Sequence, residues 1–220
     1  MNGHISAKRI LAREMTRDGH NVVLTGEGAD EIFLGYAHLR ADLGIDHSRL
    51  ASSNLASRGL MMPSKARPGI PTWIAAKVGL GERVATWLRD QPALSTDDAI
   101  TRLFEHLPRP SHAHPVEYSA HTWSQTALAD YILPTLGDRT EMAFAIEARF
   151  PMLDRDVVSL GESLPIDAKI RNGQEKWCLR RAMHDRLPTS VLSREKHPFL
   201  APPSLLFDGQ GLTSVARRLV

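Results

Sequence analysis

At 220 residues, with 42% hydrophobic side chains, the chain suffices for one large domain or two small ones and for a sizeable core. Its formal net charge is +2, and Lys and Arg are spread along it, which argues against a nucleic-acid surface while leaving room for local phosphate pockets. A single cysteine, Cys178, excludes an intrachain disulfide and suits a reducing, cytoplasmic setting.

The first residues, Met1 to Arg9, lack the apolar h-region of a signal peptide, and no apolar stretch is long enough to span a bilayer. Ala7 to Arg17 read as a helix with Ala7, Ile10, Leu11 and Met15 on one face and Gly19 as its stop. Asn21 to Thr25 read as a short strand whose continuous apolar run is the signature of a parallel strand covered on both faces. A helix from about Ala29 follows, giving the helix–strand–helix order of an α/β unit.

Between strand and helix lies Thr25-Gly26-Glu27-Gly28-Ala29-Asp30-Glu31. Three carboxylates within five positions, on a turn leaving a buried strand, are costly unless something cationic meets them. Gly26 and Gly28 suit a tight turn that brings the backbone close to a ligand. A solvated acidic turn is the competing reading, and the segment alone does not choose between them.

The middle of the chain is less regular. Residues 62–71 and the prolines 108, 110 and 115 mark loops, with short helices expected around Gly81 to Leu88 and Thr96 to His106. His106, His112, His114 and His121 lack good ligand spacing and read as surface histidines rather than a metal site.

The C-terminal half reads as helical. Trp123, Ala127, Leu128, Tyr131 and Ile132 form an apolar stripe ended by Pro134. Asp138 and Glu141 have capping-box spacing and open a helix through about Glu147. Glu147 is expected to pair with Arg149 or Arg139, and Arg149 to lie between core residues. Asp154 can cap the next helix, and another runs from about Glu175 to Arg186. Cys178, between Trp177 and Leu179, reads as a buried core thiol rather than a nucleophile. Lys176 falls in the first turn of that last helix, where the macrodipole disfavours a cation. A nearby phosphate would resolve the conflict, and an ordinary solvated lysine is the alternative. Pro198, Pro202 and Pro203 suggest an extended tail.

One parallel-type strand with no recognisable neighbour cannot be stable alone, because its backbone groups need partners. Its neighbours are either too irregular to recognise or lie outside this chain.

Taken in order, GEGADEIFLGY, DRTEMAFAIEARFPMLD, GQEKWCLR and Arg194-Glu195-Lys196-His197-Pro198-Phe199 resemble the synthetase domain of glutamine-dependent asparagine synthetases and their amidotransferase relatives. The resemblance covers about residues 1–46 and 118–203, and a variable insert, 47–117, separates the strand-loop-helix part from the helical part, 118–220. It implies an α/β ATP-pyrophosphatase domain of adenine-nucleotide α-hydrolase type, here incomplete, with a mostly helical C-terminal region and few strands. It further implies an amide ligase that uses ATP and Mg²⁺ to adenylate the carboxylate of aspartate or an analogue, which ammonia from glutamine then attacks.

Residue by residue, the resemblance makes Asp30 the Mg²⁺ ligand on the pyrophosphate and Glu27 the candidate general base. It has Lys176 stabilise charge at the α-phosphate, while Gly26 and Gly28 let the loop approach the nucleotide. Glu31 and Arg149 become structural residues. The family's Ser-Gly-Gly-x-Asp-Ser nucleotide loop does not occur in the chain, nor does the glutaminase domain. The expectation is therefore the C-terminal part of a larger synthetase, inactive without an N-terminal half or glutaminase subunit and engaging neither nucleic acid nor membrane. Two alternatives stand beside it. One is a lactam- or peptide-cyclising relative, in which a tyrosine resembles the occupant of the Glu27 position and pairs with an acid near Glu141. The other is a non-catalytic helical interaction module.

Overall fold

The computed structural model describes residues 3–45, 69–85, 96–194 and 196. Helix α1 spans Gly3–Arg17 and stops where Gly19 turns left-handed at φ 82°. The face expected to be buried is open: Ile10 and Leu11 are exposed, and Ala12 is the α1 residue that packs inside. Strand β1, Val22–Leu24, follows. Its apolar run is not covered on both faces by the described residues, since Leu24 is 69% exposed.

The neighbour of β1 is present in the chain. Strand β2, Glu147–Arg149, pairs with it in parallel, setting Val22 opposite Glu147 and Leu24 opposite Arg149. The sequence reading placed a helix there. That helix, α7, spans only Arg139–Met142, and Asp138 makes no side-chain cap, contrary to the capping-box expectation. Ile146 N–H donates to Glu141 O at 3.1 Å and Ala145 N–H to Met142 O at 3.1 Å, the paired bonds of a Schellman stop. Ala145 takes the left-handed position, φ 54°, that glycine usually marks, so the stop carries no glycine signal. Glu147 does pair with Arg149, at 2.8 Å, but Arg149 stands in solvent rather than in the core.

Helix α2, Ala29–Ile32, is a single turn capped by Gly28, and α3, Ala37–Asp42, begins after a break at Leu34 and Gly35. Asp42 accepts from the backbone N–H and hydroxyl of Thr72 at 2.9 and 2.6 Å, tying α3 to α4, Thr72–Ala85. Helix α5 spans Thr96–His106, as expected. Pro115 is the first residue of α6, Pro115–Trp123, rather than part of the preceding loop. His114 and Glu117 close a capping box at its start.

Helix α6 runs directly into a π-wound segment, Ser124–Asp138. Pro134, expected to end the apolar stripe, lies inside it. In an α-helix a proline ring clashes with the carbonyl four residues back. Here hydrogen bonds reach five residues back, as from Arg139 N–H to Pro134 O, and the wider winding carries the chain past the proline.

A short 3₁₀ turn, Pro151–Leu153, precedes α8, Arg155–Ser163, and Asp154 caps α8 by accepting from Asp156 N–H at 2.9 Å. Helix α9 spans Ile166–Lys169. The expected helix over Glu175 to Arg186 is shorter: α10 is Trp177–Ala182, and α11, Thr189–Leu192, starts after Pro188. Cys178 is half-buried, and burial raises its thiol pKa. The loop expectation at 62–68, the helix end at 86–88 and the proline-rich tail lie outside the described residues. Among those residues, no helix is long and apolar enough to cross a membrane.

The described residues form a mostly helical assembly with one two-stranded parallel sheet among them. Leu34, Leu39, Val116, Ala120 and Ile170 form one core cluster; Trp73, Ile74, Val78, Ile100 and Trp123 form another. Tyr36 packs against both. His38 is 1% exposed and stacks on Tyr36 at 5.2 Å and against Trp123 at 4.9 Å. The same residues that follow the acidic turn therefore join the two halves of the core.

Burial pushes the His38 imidazole down to about 3, with Asp30 opposing and Lys77 adding. The folded value lies below the ordinary one, so the unfolded chain takes up the proton first as pH falls. Stability contributed by neutral His38 is complete above the ordinary histidine value and is lost as pH falls toward the folded one. We expect acidification from about pH 7 to about pH 5 to cost roughly 2 kcal/mol through this group alone. His38→Phe should flatten that part of the pH profile in denaturant unfolding; an unchanged slope would show that His38 is not its source.

Candidate active site

The acidic turn leaves β1 and enters α2 through Gly28, whose φ of 89° a residue with a Cβ rarely adopts. A Cβ there would also lie 2.6 Å from Leu153 Cγ. Among the described residues, a Cβ on Gly26 would meet nothing within 4 Å, so on this side the turn is open to them.

Each carboxylate of the turn has its own donors. Glu31, 4% exposed, accepts from Tyr36 OH at 2.8 Å and Trp123 Nε1 at 3.1 Å. Burial raises its pKa against those hydrogen bonds, and the charge on Asp30 adds to the rise. Its partners are the residues that join the two core clusters, so Glu31 pins the turn to the helical body.

Glu27 pairs with Lys8 of α1 at 3.0 Å, and the same ammonium lies 3.7 Å from Glu141. Burial raises the Glu141 carboxyl, Lys8 opposes, and the nearby Glu27 charge raises it further. Two carboxylates thus share one lysine.

Asp30 sits between two ammonium groups: Lys176 at 2.8 Å on one oxygen and Lys196 at 2.7 Å on the other. Burial alone would raise its pKa, but the two lysines outweigh burial and hold it below the usual carboxylate range. Lys176 is not in the first turn of a helix. It is the residue before α10, at φ 53° and ψ 35°, a left-handed conformation. The expected conflict between a cation and the helix start is thus settled within the chain, by Asp30.

The lysines are held by a buried ion triad. Glu175, 2% exposed, pairs with Arg40 of α3 at 3.2 Å and Arg180 of α10 at 2.6 Å. Removing only the carboxylate would leave two guanidiniums facing each other in a dry site, at a cost of roughly 3–5 kcal/mol.

The sequence reading selected Gly26, Glu27, Gly28, Asp30 and Lys176. The structure brings Asp30 and Lys176 together and seats Glu27 on the same turn, beside Lys8 and Glu141. Lys196 and Gly35 belong to the site as well. Lys196 lies 166 positions from Asp30, and no local pattern reports such a pairing. A Cβ on Gly35 would collide with the Asp30 carboxylate and Lys176 Cε, a purely tertiary constraint.

Both Asp30 oxygens face ammonium groups, so a magnesium ion on Asp30 would have to displace at least one lysine. Its other ligands would be phosphate oxygens and water, since among the described residues no group of three or more His, Cys, Asp or Glu gathers.

Comparison with known proteins adds an independent line. The asparagine synthase family profile matches residues 2–220. Asparagine synthetase [glutamine-hydrolyzing] 1 of Bacillus subtilis is 30% identical over 203 residues, covering 82% of this chain and 30% of that protein. A putative asparagine synthetase [glutamine-hydrolyzing] of Mycobacterium bovis is 31% identical, over 87% of this chain and 31% of its own length. Amidase chyE of Penicillium rubens is 24% identical, over 87% and 34%. The chain thus spans about a third of the length of these curated relatives. No solved structure matches.

Gly35→Ala should destabilise the fold by roughly 1–3 kcal/mol, because the added methyl must push apart the Asp30–Lys176 pair or shift the backbone. Gly26→Ala, which meets nothing among the described residues, should cost less than about 1 kcal/mol. Denaturant unfolding of both variants checks the contrast, and equal losses would overturn it.

Proposed function

Since the chain belongs to the asparagine synthase family, we propose that it supplies the C-terminal share of the synthetase site of an ATP-dependent amide ligase. In this reading ATP adenylates the carboxylate of aspartate or a similar substrate. Ammonia derived from glutamine then attacks the acyl carbon and displaces AMP. The adenine-nucleotide α-hydrolase fold belongs to the same proposal, with further sheet strands and the nucleotide loop coming from sequence beyond these residues. The exposed apolar side chains of β1 and α1 support it, because Leu24, Ile10 and Leu11 are each more than half exposed.

The observation that carries the reading is the pairing of Asp30 with Lys176 and Lys196 on the turn that also bears Glu27. One carboxylate against two ammoniums leaves a net positive charge in a half-buried setting. Such a site suits an anion that gains charge as a phosphoanhydride bond breaks. Lys176 and Lys196 would hold the leaving pyrophosphate and the α-phosphate oxygens, and Asp30 would keep both ammoniums aimed. Gly26, open on its outer side, would let the nucleotide approach the backbone.

Glu27 would take the proton from the attacking amine. Its carboxylate lies 3.0 Å from the Lys8 ammonium, on the turn that also bears Asp30. The runner-up, a lactam- or peptide-cyclising relative, draws on one observation: Lys8 also reaches Glu141, so an acid pair stands where that chemistry uses a tyrosine and an acid. A glutamate at position 27 favours ammonia from outside the substrate.

In the intact protein that carries this chain, Glu27→Gln should leave ATP–pyrophosphate exchange within a few-fold of normal and lower amide formation by roughly 10²–10⁴-fold. Equal loss of both steps would contradict the general-base role.

A further inference from the structure

Arg180 does more than neutralise Glu175. Its guanidinium also donates to the backbone carbonyls of Glu175, Leu192 and Arg194, the last at 3.0 Å. Glu175 in turn accepts from the backbone N–H of Lys196 at 3.2 Å. Arg40 completes the frame by donating to Gly173 O at 3.2 Å. One buried triad therefore grips the chain on both sides of Lys176 and immediately before Lys196, the residues whose amines meet at Asp30.

We infer that Glu175, fixed by Arg40 and Arg180, is the positioning residue that delivers both Lys176 and Lys196 to Asp30. Among the described residues, the contacts at Lys196 fit this role. Its amide is bound to Glu175, and the carbonyl two residues earlier is bound to Arg180. Its side chain passes the Tyr36 ring at 5.8 Å on the way to Asp30. Lys176 follows Glu175 directly, and its left-handed backbone swings its amine toward Asp30. Glu175 touches no proposed substrate; it acts through the lysines.

The inference rests on the proposed function only in taking pyrophosphate as the probe. The intact protein is compared with Arg180→Gln, Glu175→Gln, Lys196→Ala and the double variants. Arg180→Gln is the safer disruption, because Glu175 keeps Arg40 as a partner. We expect Arg180→Gln to raise hydrogen exchange at the Lys196 amide at least ten-fold and to weaken pyrophosphate binding about as much as Lys196→Ala does. Combined with Lys196→Ala, it should weaken binding only by the further share that acts through Lys176, well short of the product of the single effects. Multiplying effects, or a Lys196 amide whose exchange does not change, would overturn the inference. If the unmodified protein shows no pyrophosphate binding, the functional reading fails, and exchange at Lys196 still decides the positioning role.

Discussion

Three carboxylates can be packed into one turn because each finds donors from a different part of the chain. Glu27 takes Lys8 from the first helix, Glu31 takes Tyr36 and Trp123, and Asp30 takes Lys176 and Lys196 from the far end. An isolated buried carboxylate would protonate or drag water inward. Distributed partners avoid both outcomes and tie the turn to three separate elements. The fold around the site follows from this: α1, α6 and the segment leading to Lys196 converge on the turn because its charges require them.

Much of this was legible locally. The first helix, the strand after it, the Asp154 cap and the glycine turn all rest on short-range preferences that neighbouring residues report. What escaped was of two kinds. Some signals were carried by an unusual residue: Ala145 in the left-handed position of a Schellman stop, or Pro134 inside a segment wound too widely for its ring to break. Both hid a change of structure, and with it the parallel partner of β1. Other features stood inside recognised motifs but had no local signal of their role. Lys196 acquires meaning only opposite Asp30, and Gly35 only because two other side chains fill the space where its Cβ would be.

The acidic turn posed a choice between a solvated loop and a cation site. The structure supplies the cations from the chain itself. A lysine differs from a metal ion in being a donor with a flexible stem, able to turn from a carboxylate to an arriving oxyanion without leaving the protein. The cost of burying Asp30 is thereby met by the same groups that the proposed chemistry would use.

Lys176 shows what this economy entails. Its left-handed backbone costs roughly 1–2 kcal/mol for a residue with a Cβ, and its ion pair with Asp30 offsets that cost. The two terms are thermodynamically linked. Anything that draws the ammonium away from Asp30 removes one of the contacts that hold the backbone in its strained state, and the residue stands at the very start of α10. The side chain and the helix cap therefore behave as one spring-loaded unit: a change of charge at Asp30 is transmitted along the backbone as a change in the stability of a helix end.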